Sequence, residues 1–253
     1  KPFTYVTAFA KGYTPATMLL DIPTQFRDGS GRPYIPQNYD GAFFGPLSVR
    51  EALANSRNVP AVQTIQFAGV PEVIATARRM GITTLDQGYY GLALTLGGGE
   101  VTLLDMTFAY GAFANGGRLY GKPADTGPQP GQREVEPVTI LRVEDAEGRV
   151  VEEFTEPEER PVINLQLAYL ITSILSDNAA RSRVFGTNSA LHLSRPAAAK
   201  TGTTEDYRDF WTVGYTPDLA AGVWVGNSDG TPAARGTSGV MAAPIWRDFM
   251  EEA

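Results

Sequence analysis

The 253-residue sequence contains no cysteine and only one histidine, His192. Without cysteine there is no disulfide, no thiol nucleophile and no Cys-ligated zinc. A single histidine excludes metal sites built from several imidazoles, so we expect neither a metal nor a cofactor. A Ser-His-Asp triad would depend on this one residue, which we expect to lie in a structural loop.

Basic charge and long apolar runs are also scarce. Lysine and arginine number 21 against 28 aspartates and glutamates, which gives a net charge of −7. This balance argues against a nucleic-acid partner, because phosphate binding needs a basic face. No apolar run reaches the roughly 18 residues of a membrane-spanning helix. The 43% hydrophobic and 19% charged residues are typical of a folded protein with one or two domains.

Helices occupy the middle of the chain, and most of the strands come late. Ser48 and Glu51 form a capping-box pattern that predicts a helix over 49–54. Apolar periodicity and turn residues predict the other elements. These are helices over 71–80, 101–114, 162–175 and 245–251, strands over 18–20, 197–203, 210–215 and 220–225, a hairpin joining 139–143 to 150–154, and a long loop over 118–137. This order predicts an α+β fold in which helices cover an antiparallel sheet.

Three short fragments carry candidate chemistry. Lys200-Thr201-Gly202-Thr203 ends a run of small residues, where it forms either an ordinary edge strand or a ligand-binding edge. In a ligand-binding edge, glycine permits close approach of another backbone, lysine supplies charge, and the hydroxyls bind a carboxylate. Ser56-Arg57-Asn58 is by itself no more than a helix-capping pattern. Lys1 alone would be a solvated charge, unless burial and neighbouring cations hold it neutral.

Taken together, the fragments follow a known order. Ser-x-x-Lys, then Ser-Asp-Asn, then Lys-Thr-Gly is the signature of class A β-lactamases and penicillin-binding proteins. Here Lys1 precedes Ser56 by 55 residues, and Ser56 precedes Lys200 by 144. The surrounding blocks resemble those of class A, bifunctional penicillin-binding proteins over nearly the whole chain. They include Lys1-Pro2-Phe3-Thr4-Tyr5, Pro36-Gln37-Asn38-Tyr39, Leu53-Ala54-Asn55-Ser56-Arg57-Asn58-Val59-Pro60, Lys200-Thr201-Gly202-Thr203-Thr204 and Phe210-Trp211-Thr212-Val213-Gly214-Tyr215.

The resemblance implies a fold and a domain. The fold is a five-stranded antiparallel sheet flanked by helices, with an all-helical subregion. Residues 1–253 would form a single transpeptidase domain, truncated at its N-terminus. The nucleophilic serine is expected three residues before Lys1, and we expect the glycosyltransferase domain and membrane anchor of a class A protein to lie outside this chain.

The resemblance also implies catalytic roles. The serine would attack a D-Ala-D-Ala peptide bond, and Lys1 would accept its proton. The pKa of Lys1 would be lowered by burial and by the charge of Lys200. Ser56 would relay the proton to the leaving nitrogen, linking the two lysines. β-Lactams would acylate the same serine and leave slowly.

Four further residues are implied in substrate binding. Asn58 would hydrogen-bond the donor peptide and position the lysine base. Thr201 and Thr203 would hold the terminal carboxylate, and Gly202 would keep the strand flat against the substrate. The backbone N–H groups of Thr203 and of the serine would form the oxyanion hole.

The implied partners are peptidoglycan stem peptides of lipid II-derived strands, and β-lactam antibiotics. The implied location is the extracytoplasmic face of the bacterial membrane, with membrane attachment only through a segment absent here. Two alternatives stay open at this point. One is a serine β-lactamase, which would need a base for deacylation that the three motifs do not identify; the other is a non-catalytic β-lactam-sensing or peptidoglycan-binding domain.

Overall fold

The structure is a computed structural model that describes residues 1–27, 33–86, 88–124, 131–233 and 236–253. The described residues form eight α-helices: α1 Pro2–Ala10, α2 Val49–Ala54, α3 Asn58–Ala68, α4 Val70–Arg79, α5 Leu103–Ala114, α6 Leu165–Leu175, α7 Asn178–Phe185 and α8 Ser238–Glu252. They also form twelve strands: β1 Met18–Asp21, β2 Phe26–Arg27, β3 Pro33–Tyr34, β4 Gly45–Ser48, β5 Arg118–Pro123, β6 Val135–Glu136, β7 Arg142–Glu144, β8 Val150–Glu153, β9 Glu158–Pro161, β10 Ala198–Thr203, β11 Asp209–Tyr215 and β12 Ala220–Gly226.

The sheet that matters for the site is antiparallel and has the order β10-β11-β12. Lys200 lies opposite Val213, and Val213 lies opposite Gly222. The α+β class is confirmed, but the described residues pair three strands in this sheet, against the five that the resemblance implied. The earlier strands pair with one another instead: β1 with β4, β2 with β3, β5 with β6 and β9, and β7 with β8.

Helices cover both faces of this sheet, and glycines set how closely they approach. A Cβ added to Gly222 would overlap Thr107 of α5, whereas one added to Gly214 would overlap the Trp246 ring of α8. The two positions face opposite sides of the sheet, because Gly222 pairs with Val213, the neighbour of Gly214. The sheet is therefore sandwiched between α5 and α8.

We expect Gly214→Ala to destabilise the domain by about 1–3 kcal/mol, because the added methyl group overpacks this interface. It would lie 2.7 Å from the Ala198 carbonyl oxygen and 2.8 Å from the Ala199 Cβ, in addition to the Trp246 overlap. The measurement is the free energy of unfolding in urea. Gly111→Ala is the matched control: it lies in α5 with no atom within 4 Å of an added Cβ. It should be neutral or stabilising by up to about 1 kcal/mol, and equal losses for both variants would contradict the packing argument.

Beside the sheet and its covering helices lies a helical region centred on α1. Phe3, Tyr5, Val6 and Phe9 are buried, since α1 packs against α3, α4 and α6. A short helix whose faces are nearly all buried is a core element. This placement puts the start of α1 in the interior, beside the turn between α2 and α3.

Most of the predicted elements are present, with shifts of a few residues at their ends. The capping box at Ser48 and Glu51 is confirmed, as is the hairpin formed by β7 and β8. The long loop predicted over 118–137 is wrong, since β5 and β6 lie within it; residues 125–130 are outside the described part. The last helix begins at Ser238, seven residues earlier than predicted, and continues through Pro244.

Candidate active site

Lys1 occupies the N-cap position of α1, and its side chain reaches the turn after α2. The Lys1 Nζ donates to the Ser56 carbonyl oxygen at 2.9 Å, to the Ser56 Oγ at 3.1 Å and to the Asn58 Oδ1 at 2.6 Å. All three acceptors are neutral, so no carboxylate among these partners favours the charged form of the amine.

Ser56 lies in a backbone conformation that is normally left to glycine. Its φ is +56°, and it follows α2 directly after the C-cap Asn55. The Ser56 N–H donates to the Leu53 carbonyl at 3.1 Å, and the Arg57 N–H donates to the Ala52 carbonyl at 2.9 Å. This is a Schellman motif, in which glycine is the usual left-handed residue because it carries no Cβ. A serine in this left-handed conformation is strained, but it places a hydroxyl group in the turn after α2. Strained backbone of this kind is typical of functional sites.

Lys200 approaches the same hydroxyl from the sheet. The Lys200 Nζ donates to the Ser56 Oγ at 2.7 Å and to the Thr201 carbonyl at 2.6 Å. Lys200 is buried and shares a face of the sheet with Val213, which belongs to the main core. The fold therefore brings two amines from distant parts of the chain onto one serine oxygen.

The electrostatics of the two lysines are set by burial and by cations. Burial, followed by the charge of Arg57, lowers the pKa of Lys1 to about 7. The pKa of Lys200 is lowered by burial first, and then by the charges of Lys1 and Arg181. The expectation that burial and the charge of Lys200 lower the pKa of Lys1 is corrected in part, because the cation that lowers it is Arg57. Near neutral pH a sizeable fraction of Lys1 is the free amine and a competent base.

Asn58 connects Lys1 to the segment that contains Gln37 and Asn38. Its Nδ2 donates to the Gln37 carbonyl at 2.7 Å, while its backbone N–H donates to the Asn38 Oδ1 at 2.8 Å. The Asn38 Nδ2 in turn donates to the Asp21 Oδ1 at 2.7 Å. The Pro36-Gln37-Asn38-Tyr39 block thus holds Asn58 in place.

The end of β10 is attached to the N-terminus of α8 through Ser238. The Ser238 hydroxyl accepts from the Trp211 N–H at 3.2 Å, donates to the Gly202 carbonyl, and lies 2.8 Å from the Thr203 Oγ1. The Ser238 N–H donates to the Thr203 Oγ1 at 3.2 Å. Because the ladder alternates and the Thr204 N–H points to Asp209, the backbone amides of Thr201 and Thr203 point to the open edge.

The family model for the penicillin-binding protein transpeptidase domain matches residues 1–251. The chain belongs to that family.

Curated relatives of this transpeptidase domain are penicillin-binding proteins. It is 34% identical over its whole length to penicillin-binding protein 2D of Bacillus subtilis and covers 35% of that protein. It is 35% identical over 99% of its length to penicillin-binding protein 1A of Aquifex aeolicus and covers 32% of it. The domain therefore spans about a third of the length of these relatives.

Solved structures show the same fold. Penicillin-binding protein 1A of Haemophilus influenzae matches the whole domain with a TM-score of 0.83 at 25% identity, over 41% of its own chain. PonA1 of Mycobacterium tuberculosis, solved in complex with penicillin V, matches 99% of the domain with a TM-score of 0.79 at 23% identity, over 66% of its own chain.

Arg57 is the site residue that sequence reasoning missed. It is the middle residue of Ser56-Arg57-Asn58, and its guanidinium is buried and lies 3.8 Å from the centre of the Phe44 ring. It donates to the Asp21 Oδ2 and the Asp40 Oδ2, both at 2.8 Å, and to the Ala42 carbonyl. The only sequence signal was an arginine between two site residues within a helix-to-helix turn.

His192 and the polar and aromatic residues that follow the Lys-Thr-Gly strand are not among the hydrogen-bond partners of Lys1 and Lys200 described above. His192 is exposed in a turn, and Asp206 and Arg208 form an exposed ion pair at 3.6 Å. Trp211 packs against the core, whereas Trp224 is 36% exposed and donates to the Asp209 Oδ1 at 2.9 Å. Within the described ranges, no group of three or more His, Cys, Asp or Glu side chains is placed to hold a metal ion.

Proposed function

We propose that this domain is a serine-type D-Ala-D-Ala transpeptidase that cross-links peptidoglycan stem peptides through an acyl-serine intermediate. One observation carries the proposal: the Ser56 Oγ lies 3.1 Å from the Lys1 Nζ and 2.7 Å from the Lys200 Nζ. Two amines around one hydroxyl form a proton path from a base to a second amine at the edge of a strand.

The nucleophile is expected to be a serine three residues before Lys1, a position before the first residue of this chain. Residues three apart on a helix lie on the same face, so that serine would sit beside the Lys1 amine. The neutral Lys1 takes the proton of the serine as its oxygen bonds to the carbonyl carbon. The proton then passes through the Ser56 hydroxyl to the nitrogen of the departing D-Ala, whose peptide bond breaks. In the second step an amine of another stem peptide takes the acyl group, and the serine recovers a proton.

The edge of β10 supports the binding roles. The Thr203 N–H faces the open edge, where it would stabilise the oxyanion together with the N–H of the serine. The Lys200 amine would donate a hydrogen bond at the carboxylate end of the substrate, which Thr201 and Thr203 would hold. The Thr203 hydroxyl already contacts Ser238, so it would offer the substrate the remaining part of its hydrogen-bonding capacity. Gly202 would leave room for the peptide, and the Asn58 side chain would hold both Lys1 and the donor peptide.

The partners and location follow from this chemistry. We propose stem peptides of lipid II-derived strands as substrates and β-lactams as acylating inhibitors. Because this substrate lies outside the cytoplasm, the domain would act on the extracytoplasmic face of the bacterial membrane. Within the described residues, no helix combines the length and apolar character needed to cross a bilayer.

The test uses the full-length parent protein incubated with a fluorescent penicillin. The expected result is a covalent adduct on the serine three residues before Lys1, located by mass spectrometry and lost when that serine is replaced by alanine. An adduct lifetime of hours supports a transpeptidase, whereas one well under a second indicates a β-lactamase. An adduct without cross-linking of stem peptides indicates a sensor, and the absence of any adduct contradicts the proposal.

The rate of acylation should depend on pH through Lys1. A lysine accepts a proton only when it is neutral, and the pKa of Lys1 is lowered to about 7. The rate should therefore rise with pH, from about a tenth of its maximum one unit below this pKa to about nine tenths one unit above it. Stopped-flow measurement of penicillin acylation gives this profile, and a rate that is flat or falls over the same range would contradict the role of base.

A further inference from the structure

Arg181 is a buried cation that the proposed reaction does not use. It lies on α7 and is 2% exposed. One terminal nitrogen donates to the Leu175 carbonyl at the end of α6, and the other lies 3.5 Å from the Ala199 carbonyl on β10. The Arg181 Nε has no hydrogen-bond partner among the described residues. Ala199 is the residue before Lys200, so Arg181 contacts the strand at the point from which the second amine projects.

The charge of Arg181 is not neutralised by an adjacent acid. In the described part of the chain no carboxylate lies within 4 Å of it, and the nearby Asp177 is paired with Arg50 at 3.0 Å. Burial lowers the pKa of Arg181 only to about 10, so the side chain stays charged at neutral pH. A buried charge without an adjacent counter-charge is costly, and such costs are concentrated at functional sites.

The helix that carries Arg181 is also attached to the turn that carries Ser56. The Asn55 Nδ2 donates to the Ala180 carbonyl at 2.7 Å, and the Asn55 Oδ1 accepts from the Val184 N–H at 3.1 Å. Asn55 immediately precedes Ser56. Helix α7 therefore holds the residue before Ser56 at one point and, through Arg181, the residue before Lys200 at another.

We propose that Arg181 is a positioning residue with two effects: it sets the position of the Lys200 amine relative to the Ser56 hydroxyl, and it influences the charge state of that amine. Its contact with the strand keeps Lys200 within reach of the hydroxyl, and its fixed charge opposes protonation of the Lys200 amine. This inference rests on the proposed acyl-serine function. It adds a group that touches neither the substrate nor the reacting atoms.

Several other charged or titratable groups influence the protonation of the two lysines and therefore the pH dependence of acylation. Lys1 on α1 and Arg181 on α7 act on Lys200, while Arg57 acts on Lys1 and Asp177 on Arg181. Strand β11 contributes the neutral phenol of Tyr215, which is hydrogen-bonded to Thr172. Because Lys1 and Lys200 interact, their protons are lost in steps that belong to the pair. Removing a neighbouring cation makes protonation of the pair easier and moves those steps to higher pH.

The experiment measures the rate of penicillin acylation against pH for the full-length protein and three variants. Arg181→Met removes the charge and the hydrogen bonds, and Arg181→Gln removes the charge while it keeps an N–H donor on a shorter side chain. Arg183→Met is the matched control, since it removes the same charge from an exposed position on the same helix, where the Arg183 guanidinium lies 3.6 Å from the centre of the Phe44 ring.

Both Arg181 variants should raise the pH of half-maximal acylation by roughly one unit, and Arg183→Met should leave it unchanged. Arg181→Met should also lower the maximal rate about tenfold to a hundredfold, because Lys200 is no longer held in place. If Arg181→Met does not fold, the pH of half-maximal acylation measured for Arg181→Gln provides the test. A midpoint equal to wild type, or an equal shift in Arg183→Met, overturns the inference. Failure of the wild-type protein to be acylated counts against the proposed function, whereas a labelled wild type with unshifted variants counts against Arg181 alone.

Discussion

Replacing Lys1 with alanine is expected to slow acylation of the full-length protein by penicillin about a thousand-fold. The reason is that the Lys1 amine contacts the Ser56 Oγ and the Asn58 Oδ1, and burial lowers its pKa to about 7, so near neutral pH much of it is the free amine that can accept the proton of the serine. Single-turnover labelling with a fluorescent penicillin measures the effect. Lys1→Arg should lose as much activity, because a guanidinium keeps the charge but cannot act as a base at neutral pH.

Lys11→Ala is the matched control for this prediction. Lys11 follows the same helix, donates to the Ala68 carbonyl at 2.6 Å and lies 3.8 Å from Glu72, where it is well exposed. Its loss should change the acylation rate by less than about twofold. A Lys1→Ala variant that is acylated at the wild-type rate would refute the role of Lys1, and a Lys1→Arg variant that retains activity would show that only its charge matters.

The second large effect is on stability: Asp21→Ala should lower the free energy of unfolding by about 3–5 kcal/mol. Asp21 is 0% exposed, and its carboxylate accepts from the Arg57 Nε at 2.8 Å, the Asn38 Nδ2 at 2.7 Å and the Phe44 N–H at 3.0 Å. Removing it leaves a buried guanidinium without its main counter-charge and the Phe44 N–H without its acceptor, while the Asn38 Nδ2 keeps only the Ala42 carbonyl. Urea unfolding, followed by fluorescence and by circular dichroism, measures the loss.

Asp40→Ala separates the effect of burial from that of pairing with Arg57. Asp40 accepts from the same guanidinium at an equal 2.8 Å, but its side chain is 40% exposed. Water replaces an exposed partner, so the expected loss is about 1 kcal/mol or less. Similar losses for the two variants would show that the buried ion pair has no special importance. Because Arg57 lies between Ser56 and Asn58, Asp21→Ala should also slow acylation in the fraction that stays folded.

Local chemistry made a large part of this fold predictable. Ser48 and Glu51 satisfy each other's backbone donors, so the start of α2 was readable from four residues. Alternating apolar residues and turn signals predicted β10, β11 and β12 to within one residue at each end. The same reasoning missed α7, whose sequence Asn-Ala-Ala-Arg-Ser-Arg-Val-Phe has a weak apolar periodicity. It missed β5 because glycine and proline around that strand indicated a loop.

The candidate site was likewise predictable only in part. The sequence by itself determined which side chains are present and in what order: a lysine, a Ser-x-Asn turn and a Lys-Thr-Gly strand, with no thiol and no cluster of imidazoles. Only the tertiary structure decided that Lys1, Ser56 and Lys200 meet, that Arg57 is paired with Asp21, and that Arg181 is buried behind β10. The physical reason is that helix and strand patterns depend on neighbours within a few residues. Contacts between side chains 36, 55 and 144 positions apart depend instead on how whole elements pack, and that packing also sets the burial that shifts each pKa.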